Sequence, residues 1–236
     1  MKKNRMYIFF FSLIIFNMAA NFAHPVTPTV IKELNLSDYM FGVALGAMLV
    51  CNFLFSPFWG KLNDYIPSKT TMLICGAGYG IGQIFFGLAS SETMIILARM
   101  FAGVFTGGAF VSFLTYTVNV STDENRAKNL TICATIQSVA GAFGYFIGGT
   151  LGEIGIHLTF FVQAATLLGA GILFYIFLED DRREKGAIPF KKVVKEANPF
   201  NAFKSCGSFL TITFACLFGV SILSNLGLTL DGMSLA

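Results

Sequence analysis

Charge is scarce in this 236-residue chain: Lys, Arg, Asp and Glu make up 12% of it, against about 25% in a soluble domain whose surface must face water. That deficit excludes a soluble enzyme, a nucleic-acid binder and a disordered protein. Histidine is confined to His24 and His157, and tryptophan to Trp59. No H-E-x-x-H, C-x-x-C or G-x-x-x-x-G-K-[ST] pattern occurs, so no zinc peptidase, dithiol redox or ATP-hydrolysing site is implied. The five cysteines, Cys51, Cys75, Cys133, Cys206 and Cys216, lack paired spacing and fall mostly in apolar runs. They read as small hydrophobes rather than disulfides or metal ligands. No catalytic set, cofactor or metal follows from this inventory, and the chain is not expected to be an enzyme.

What remains is apolar: 55% hydrophobic residues, 27 of them Phe, and a mean hydropathy of +0.69. The charge-free intervals are 6–31, 39–60, 70–91, 100–122, 129–152, 154–178 and 205–230. A helix needs about 20 apolar residues to cross the hydrocarbon layer. The expected spans lie near 6–30, 39–59, 70–89, 93–118, 130–151, 157–178 and 207–230, all helical because lipid offers the backbone no hydrogen bonds. The first run follows Lys2, Lys3 and Arg5 as a signal peptide would, but it continues past a signal core and six more follow. Basic residues of alternate connections number fourteen on the N-terminal side against one, Lys32, on the other, with Arg99 inside a span. By the positive-inside rule the N-terminus faces the cytoplasm of a multi-pass plasma-membrane protein.

The sequence divides into a six-helix domain (1–178), a connecting segment (179–205) and the start of a further domain (206–236). The connecting segment sets Phe190, Val193, Val194, Phe200 and Phe203 among lysines between Pro189 and Pro199. It reads equally as an interfacial amphipathic helix or as an ordinary loop. Gly60-Lys61-Leu62-Asn63-Asp64 after span 2 and Gly149-Thr150-Leu151-Gly152-Glu153 after span 5 share G-x-L-x-acid on opposite sides of the membrane. That recurrence points to two inverted three-helix repeats, an organisation used by secondary transporters.

Three stretches carry a family resemblance. The loop Gly60 to Lys69 resembles the G-x-L-x-D-R-x-G-R-[KR] signature of the major facilitator superfamily at Gly60, Leu62, Asp64 and Lys69, with Tyr65, Pro67 and Ser68 departing from it. Span 4 places Arg99, Gly103, Gly107 and Gly108 as in the family's R-x-x-x-G-x-x-x-G-[GA] element. Span 5 places Gly144, Gly148 and Gly149 as in its antiporter element, with Tyr145 where that element has Pro. The chain resembles the bacterial multidrug and tetracycline efflux carriers of this superfamily. The resemblance implies an all-α integral membrane bundle, alternating access and efflux of small amphipathic compounds, with the lipid bilayer, the substrate and a C-terminal half of the same carrier as partners. It makes Gly60, Asp64 and Lys69 a conformational latch.

The expected substrate cavity comprises Asn17, Asn21 and His24, spaced for one face of span 1, with Arg99 and Thr106 from span 4. Asn17, Asn21 and His24 read equally as partners in interhelical hydrogen bonds. Gly103, Gly107, Gly144 and Gly148 are the expected close-packing positions. Gln83, Gln137 and Gln163 are further polar candidates. Family members have twelve spans, so a chain of seven reads as a fragment or truncated product that transports nothing alone. The rival readings are a half-size carrier acting as a dimer and the membrane subunit of an ATP-driven transporter.

Overall fold

The described residues of a computed structural model are 2–182, 188, 190–200, 211, 212, 216, 219 and 220. Helices among them are α1 (Lys2–Ala20), α2 (Thr27–Glu33), α3 (Tyr39–Leu62), α4 (Ser68–Gly87), α5 (Glu92–Val120), α6 (Asp123–Ile154), α7 (Ile156–Phe177) and α8 (Phe190–Glu196), with no strand. By length and composition α3, α5, α6 and α7 are long and apolar enough to cross a membrane. Five glycines dilute the hydropathy of α4. Those glycines instead let α4 lie against two helices at once. Gly78 and Gly82 face Phe105 and Ala102 of α5, while Gly76, Gly80 and Gly87 face Leu167, Ala164 and Phe160 of α7. Gly82, Gly76 and Gly80 bring backbones close, at Ala102, Leu167 and Ala164, while Gly78 makes room for the Phe105 ring.

The expected first span differs from its reading, because it is broken. Proline 25 has no N–H, and residues 21–26 form tight turns in which Asn21, Phe22 and His24 donate to Met18, Ala19 and Asn21 carbonyls three residues back. Inside a bilayer a break is stable only where the freed carbonyls find other donors. Ala20 O accepts from Tyr79 Oη at 3.0 Å and from Gln163 Nε2 at 3.3 Å. Ala23 O accepts from Thr27 N at 3.0 Å and, in addition, from Thr27 Oγ1 at 2.7 Å. Helix α2 then restarts with Pro28 in its first turn, where a missing N–H costs nothing. It stops at Asn35, whose φ of 53° sets up bonds from Leu36 N to Ile31 O and from Asn35 N to Lys32 O.

Helix α6 departs from expectation in the other direction. It begins at Asp123, taking in the polar Asp123–Lys128 stretch, with two acids in its first turn that suit the helix dipole.

Packing follows a symmetric plan. The principal contacts are α3 on α5, α4 on α5, α4 on α7, α1 on α6 and α1 on α7. Exchanging the triplet α1, α3, α4 for α5, α6, α7 turns the first pair into α6 on α1 and the second into α7 on α1, and leaves α4 on α7 unchanged. This is the pattern of two inverted repeats. Both repeat-related crossings are closed by glycine on backbone. A Cβ at Gly103 would collide with Met48 O, and one at Gly107 would approach Asn52 O at 2.8 Å. On the other side, Cβ atoms at Gly144 and Gly148 would collide with Met18 O and Phe22 O.

Phe9, Phe16, Phe113 and Phe174 form an aromatic core with Tyr116, ring centroids 5.0–6.3 Å apart. The runs Phe9-Phe10-Phe11 and Phe85-Phe86 are divided: Phe9 and Phe86 are fully buried, while Phe11 and Phe85 are more than half exposed on the outer surface. Cys51, Cys75 and Cys133 are buried free thiols.

The bundle and α8 lie in a unit ending at Ala197, and Asn198 opens a second unit. In α8, Val193 is fully buried, Phe190 stacks edge-on against Phe58 of α3, and Glu196 pairs with Lys61 at 3.0 Å. In the second unit Phe200 N donates to Asn198 Oδ1 at 2.9 Å. The seventh expected span, 207–230, lies outside the described residues apart from isolated positions.

Candidate functional site

Arg99 is the deepest cation in the bundle. Helix α5 carries it, capped at its start by Ser91 Oγ accepting from Met94 N. Its side chain turns inward rather than reaching for the surface and is 5% exposed. Nη2 donates to Thr27 Oγ1 at 2.8 Å, Nη1 lies 3.9 Å from Met48 Sδ, and the guanidinium stacks 3.9 Å from the Phe86 ring centroid. Thr27 in turn donates to Ala23 O. Four helices thus converge on one charge, and the hydroxyl chain ties it to the α1 break. Among the described residues no carboxylate lies within ion-pair distance of it. A buried charge without a counter-ion is costly, and it persists where it is hydrogen-bonded and has a task.

The other expected cavity residues form two further groups. Thr106 donates to Gly103 O and accepts from Asn52 Nδ2 at 3.2 Å, with Ser56 Oγ bonded to Asn52 O at 2.6 Å, all at the α3–α5 crossing. Asn17 is buried and donates to Leu13 O at 2.8 Å, and Asn21 Nδ2 donates to Asn17 O at 2.8 Å. The Asn21 side chain lies against Gly141 and Gly144 of α6. His24 stacks on Tyr145, centroids 5.3 Å apart and 11° from parallel. Tyr145, which departs from the family pattern, thus has a partner of its own. The helical break separates Asn17 from Asn21 and His24, so the three do not share one continuous helical face. None of these five residues lines the cleft of about 570 Å³ near Arg5, Phe10, Tyr116, Asn119, Lys128 and Asp181.

The latch loop is held from below. Gly60 lies in α3 with Val111 of α5 at van der Waals distance. Asp64 pairs with Lys61 at 3.1 Å, and Lys69 Nζ donates to Leu178 O at 3.0 Å beside the Tyr175 ring. Sequence reasoning missed the residues that fix this loop. Asn63 is buried, donates to Ser112 Oγ at 3.0 Å and accepts from Thr71 Oγ1 at 2.6 Å. Pro67 supplies no side-chain cap to α4. Instead Asp181 accepts from Ser68 N at 2.7 Å, Ser68 Oγ at 2.6 Å and Asn119 Nδ2 at 3.1 Å. A carboxylate at a helix N-terminus is favourable in hydrogen bonding and in dipole. Arg5 pairs with Glu179 beside it. The available signals were the Ser68-for-Arg departure and the acids Glu179 to Asp181, but pairing them needed the fold.

Among known proteins, the chain is similar to Multidrug resistance protein 1 of Bacillus subtilis, 28% identical over 159 residues, covering 67% of this chain and 41% of that protein. It is 20% identical over 222 residues to Quinolone resistance protein NorA of Staphylococcus aureus, covering 94% and 57%. The fold matches a bacterial homologue of the human lysosomal transporter Spinster in an inward-facing, unoccupied conformation, with TM-score 0.69, 16% identity and coverage of 88% and 49%. It also matches the human organic anion transporter MFSD10, with TM-score 0.64, 16% identity and coverage of 82% and 53%. The chain spans about half the length of these relatives. Residues 9–235 match the sequence pattern of one family throughout, and with its all-helical membrane fold and six-helix arrangement the chain belongs to the Major Facilitator Superfamily.

Proposed function

We propose that this bundle is one half of a secondary active carrier that moves small amphipathic compounds out of the cell by alternating access, with its N-terminus in the cytoplasm. Asn21, His24, Arg99 and Thr106 contribute the polar contacts of the site, Asn17 orients the α1 side of it, and a second half of similar size supplies the opposite wall. Gly60, Asp64 and Lys69 form the latch that meets that second half. Gly103, Gly107, Gly144 and Gly148 keep the two repeat crossings tight enough for the bundle to rock as a body.

The observation that carries this reading is Arg99, hydrogen-bonded but without a carboxylate among the described residues, next to the break in α1. The resistance relatives support the direction and the substrate class. The reading predicts that a carrier containing this bundle exports ethidium from energised cells, and that Arg99→Ala abolishes export at unchanged membrane abundance, with Arg99→Lys retaining a small part. Export by Arg99→Ala at the wild-type rate would contradict it.

A further inference from the structure

We propose that a water molecule is bound inside the bundle behind the α1 break, held between Gln83 of α4 and Gln163 of α7. Both side chains are fully buried. Neither Oε1 nor Nε2 of Gln83 has a hydrogen-bond partner, and Oε1 of Gln163 has none either. The Tyr79 hydroxyl lies beside both glutamines, but its proton and one of the two on Gln163 Nε2 go to Ala20 O. Three polar atoms therefore converge beside a carbonyl already occupied by two donors. Buried polar groups left unpaired cost about 1–3 kcal/mol each, and native interiors satisfy such groups with enclosed water making about three hydrogen bonds. A single water matches this set, donating to both Oε1 atoms and accepting from Gln83 Nε2.

The charge of the surroundings selects water over an ion. The same oxygens could ligate a monovalent cation, but the Arg99 charge acts on Tyr79 at this cluster, and no carboxylate among the described residues does. A cation would meet repulsion with no compensating anion. The two Oε1 carbonyl oxygens facing the site would repel an anion. The site joins α4 and α7 to the end of α1, so the water completes the polar lining that makes the break tolerable in lipid. It needs no transport activity, and its test is independent of efflux.

The test uses the full-length chain in detergent with 15N-labelled glutamine side chains. Magnetisation transfer from a long-lived water to the Gln83 side-chain amide is expected. Its absence overturns the proposal, whatever the variants do. Thermal unfolding gives the second readout. With water bound, Gln83→Met strands Gln163 and lowers Tm by about 3 °C, whereas in a dry site the same change removes two unpaired atoms and leaves Tm equal or higher. A rise in Tm when sodium replaces potassium would assign the site to a cation and overturn the assignment to water.

Discussion

At Arg99 the chain places a permanent charge where lipid or protein, not water, surrounds it. Its one oxygen acceptor among the described residues is Thr27 Oγ1, which makes a small hydroxyl on a different helix responsible for a large electrostatic term. Thr27→Val keeps the shape and removes the acceptor. It should cost about 2 kcal/mol, read as a fall in Tm of several degrees, while Thr27→Ser should stay near wild type. Equal Tm values for the two variants would show that the hydroxyl does not hold the guanidinium. Residue identities of this kind were partly legible in the sequence. An arginine amid apolar residues declares itself by cost, and so did Asn17 and Asn21. Thr27, Asn52, Asn63 and Tyr79 did not, because hydroxyls and amides are common in membrane helices and acquire meaning only from the partner opposite. The Phe9-Phe10-Phe11 run shows the same limit: adjacent residues of one type point to opposite environments, which composition cannot resolve.

Elements were read from the length of apolar runs, and that signal fails where polarity and helicity part company. Asp123–Lys128 is polar yet helical, since Glu, Arg, Ala and Lys are good helix formers with acids correctly placed at the start. Residues 21–26 are apolar enough to span yet not helical, because Pro25 lacks a donor and neighbouring helices supply replacements. Glycines were legible as packing positions, but only the fold separates those that touch backbone from those that do not. Gly148→Val drives a side chain into Phe22 O, whereas Gly149 has nothing within 4 Å of an added Cβ. Gly148→Val should cost about 3 kcal/mol, and Gly149→Ala should change Tm little. A similar fall for both would mean that α1 and α6 do not cross as described.

Helix α8 has its own control. The hydrogen bond from Lys61 holds the Glu196 carboxyl below its usual range. A lowered carboxylate pKa contributes stability above the ordinary carboxylate range and loses it as pH falls through the depressed value. Protection factors at Val193 and Val194, which divide out the intrinsic slowing of exchange in acid, should therefore fall on acidification below about pH 4.5, the ordinary carboxylate value. Glu196→Gln should exchange quickly at neutral pH and lose that dependence. A wild-type profile in Glu196→Gln would place the contact elsewhere.

Within the unit ending at Ala197, helices α1, α3, α4 and α5, α6, α7 are two triplets related by inversion, visible in which helices pack and in where glycine meets backbone. Only the faint G-x-L-x-acid recurrence announced this in the sequence, and of its two copies one is anchored and one is open. A Cβ added at Gly60 would meet Val111 at 3.4 Å, and one added at Gly149 would have nothing within 4 Å. Symmetry is a property of contacts more than of residues. A membrane-crossing α3 sets the Asp64 turn and the Asn35 turn on opposite faces of the membrane, and the orientation proposed from the fourteen-to-one distribution of basic residues has the Asp64 side in the cytoplasm. Single cysteines at these two positions, in a chain whose own cysteines are replaced by serine, report this directly through an impermeant maleimide added to intact cells. Labelling at Asn35→Cys, with Asp64→Cys labelled only after the membrane is opened, is the expected result. Labelling of Asp64→Cys in intact cells, or of both positions alike, would contradict it.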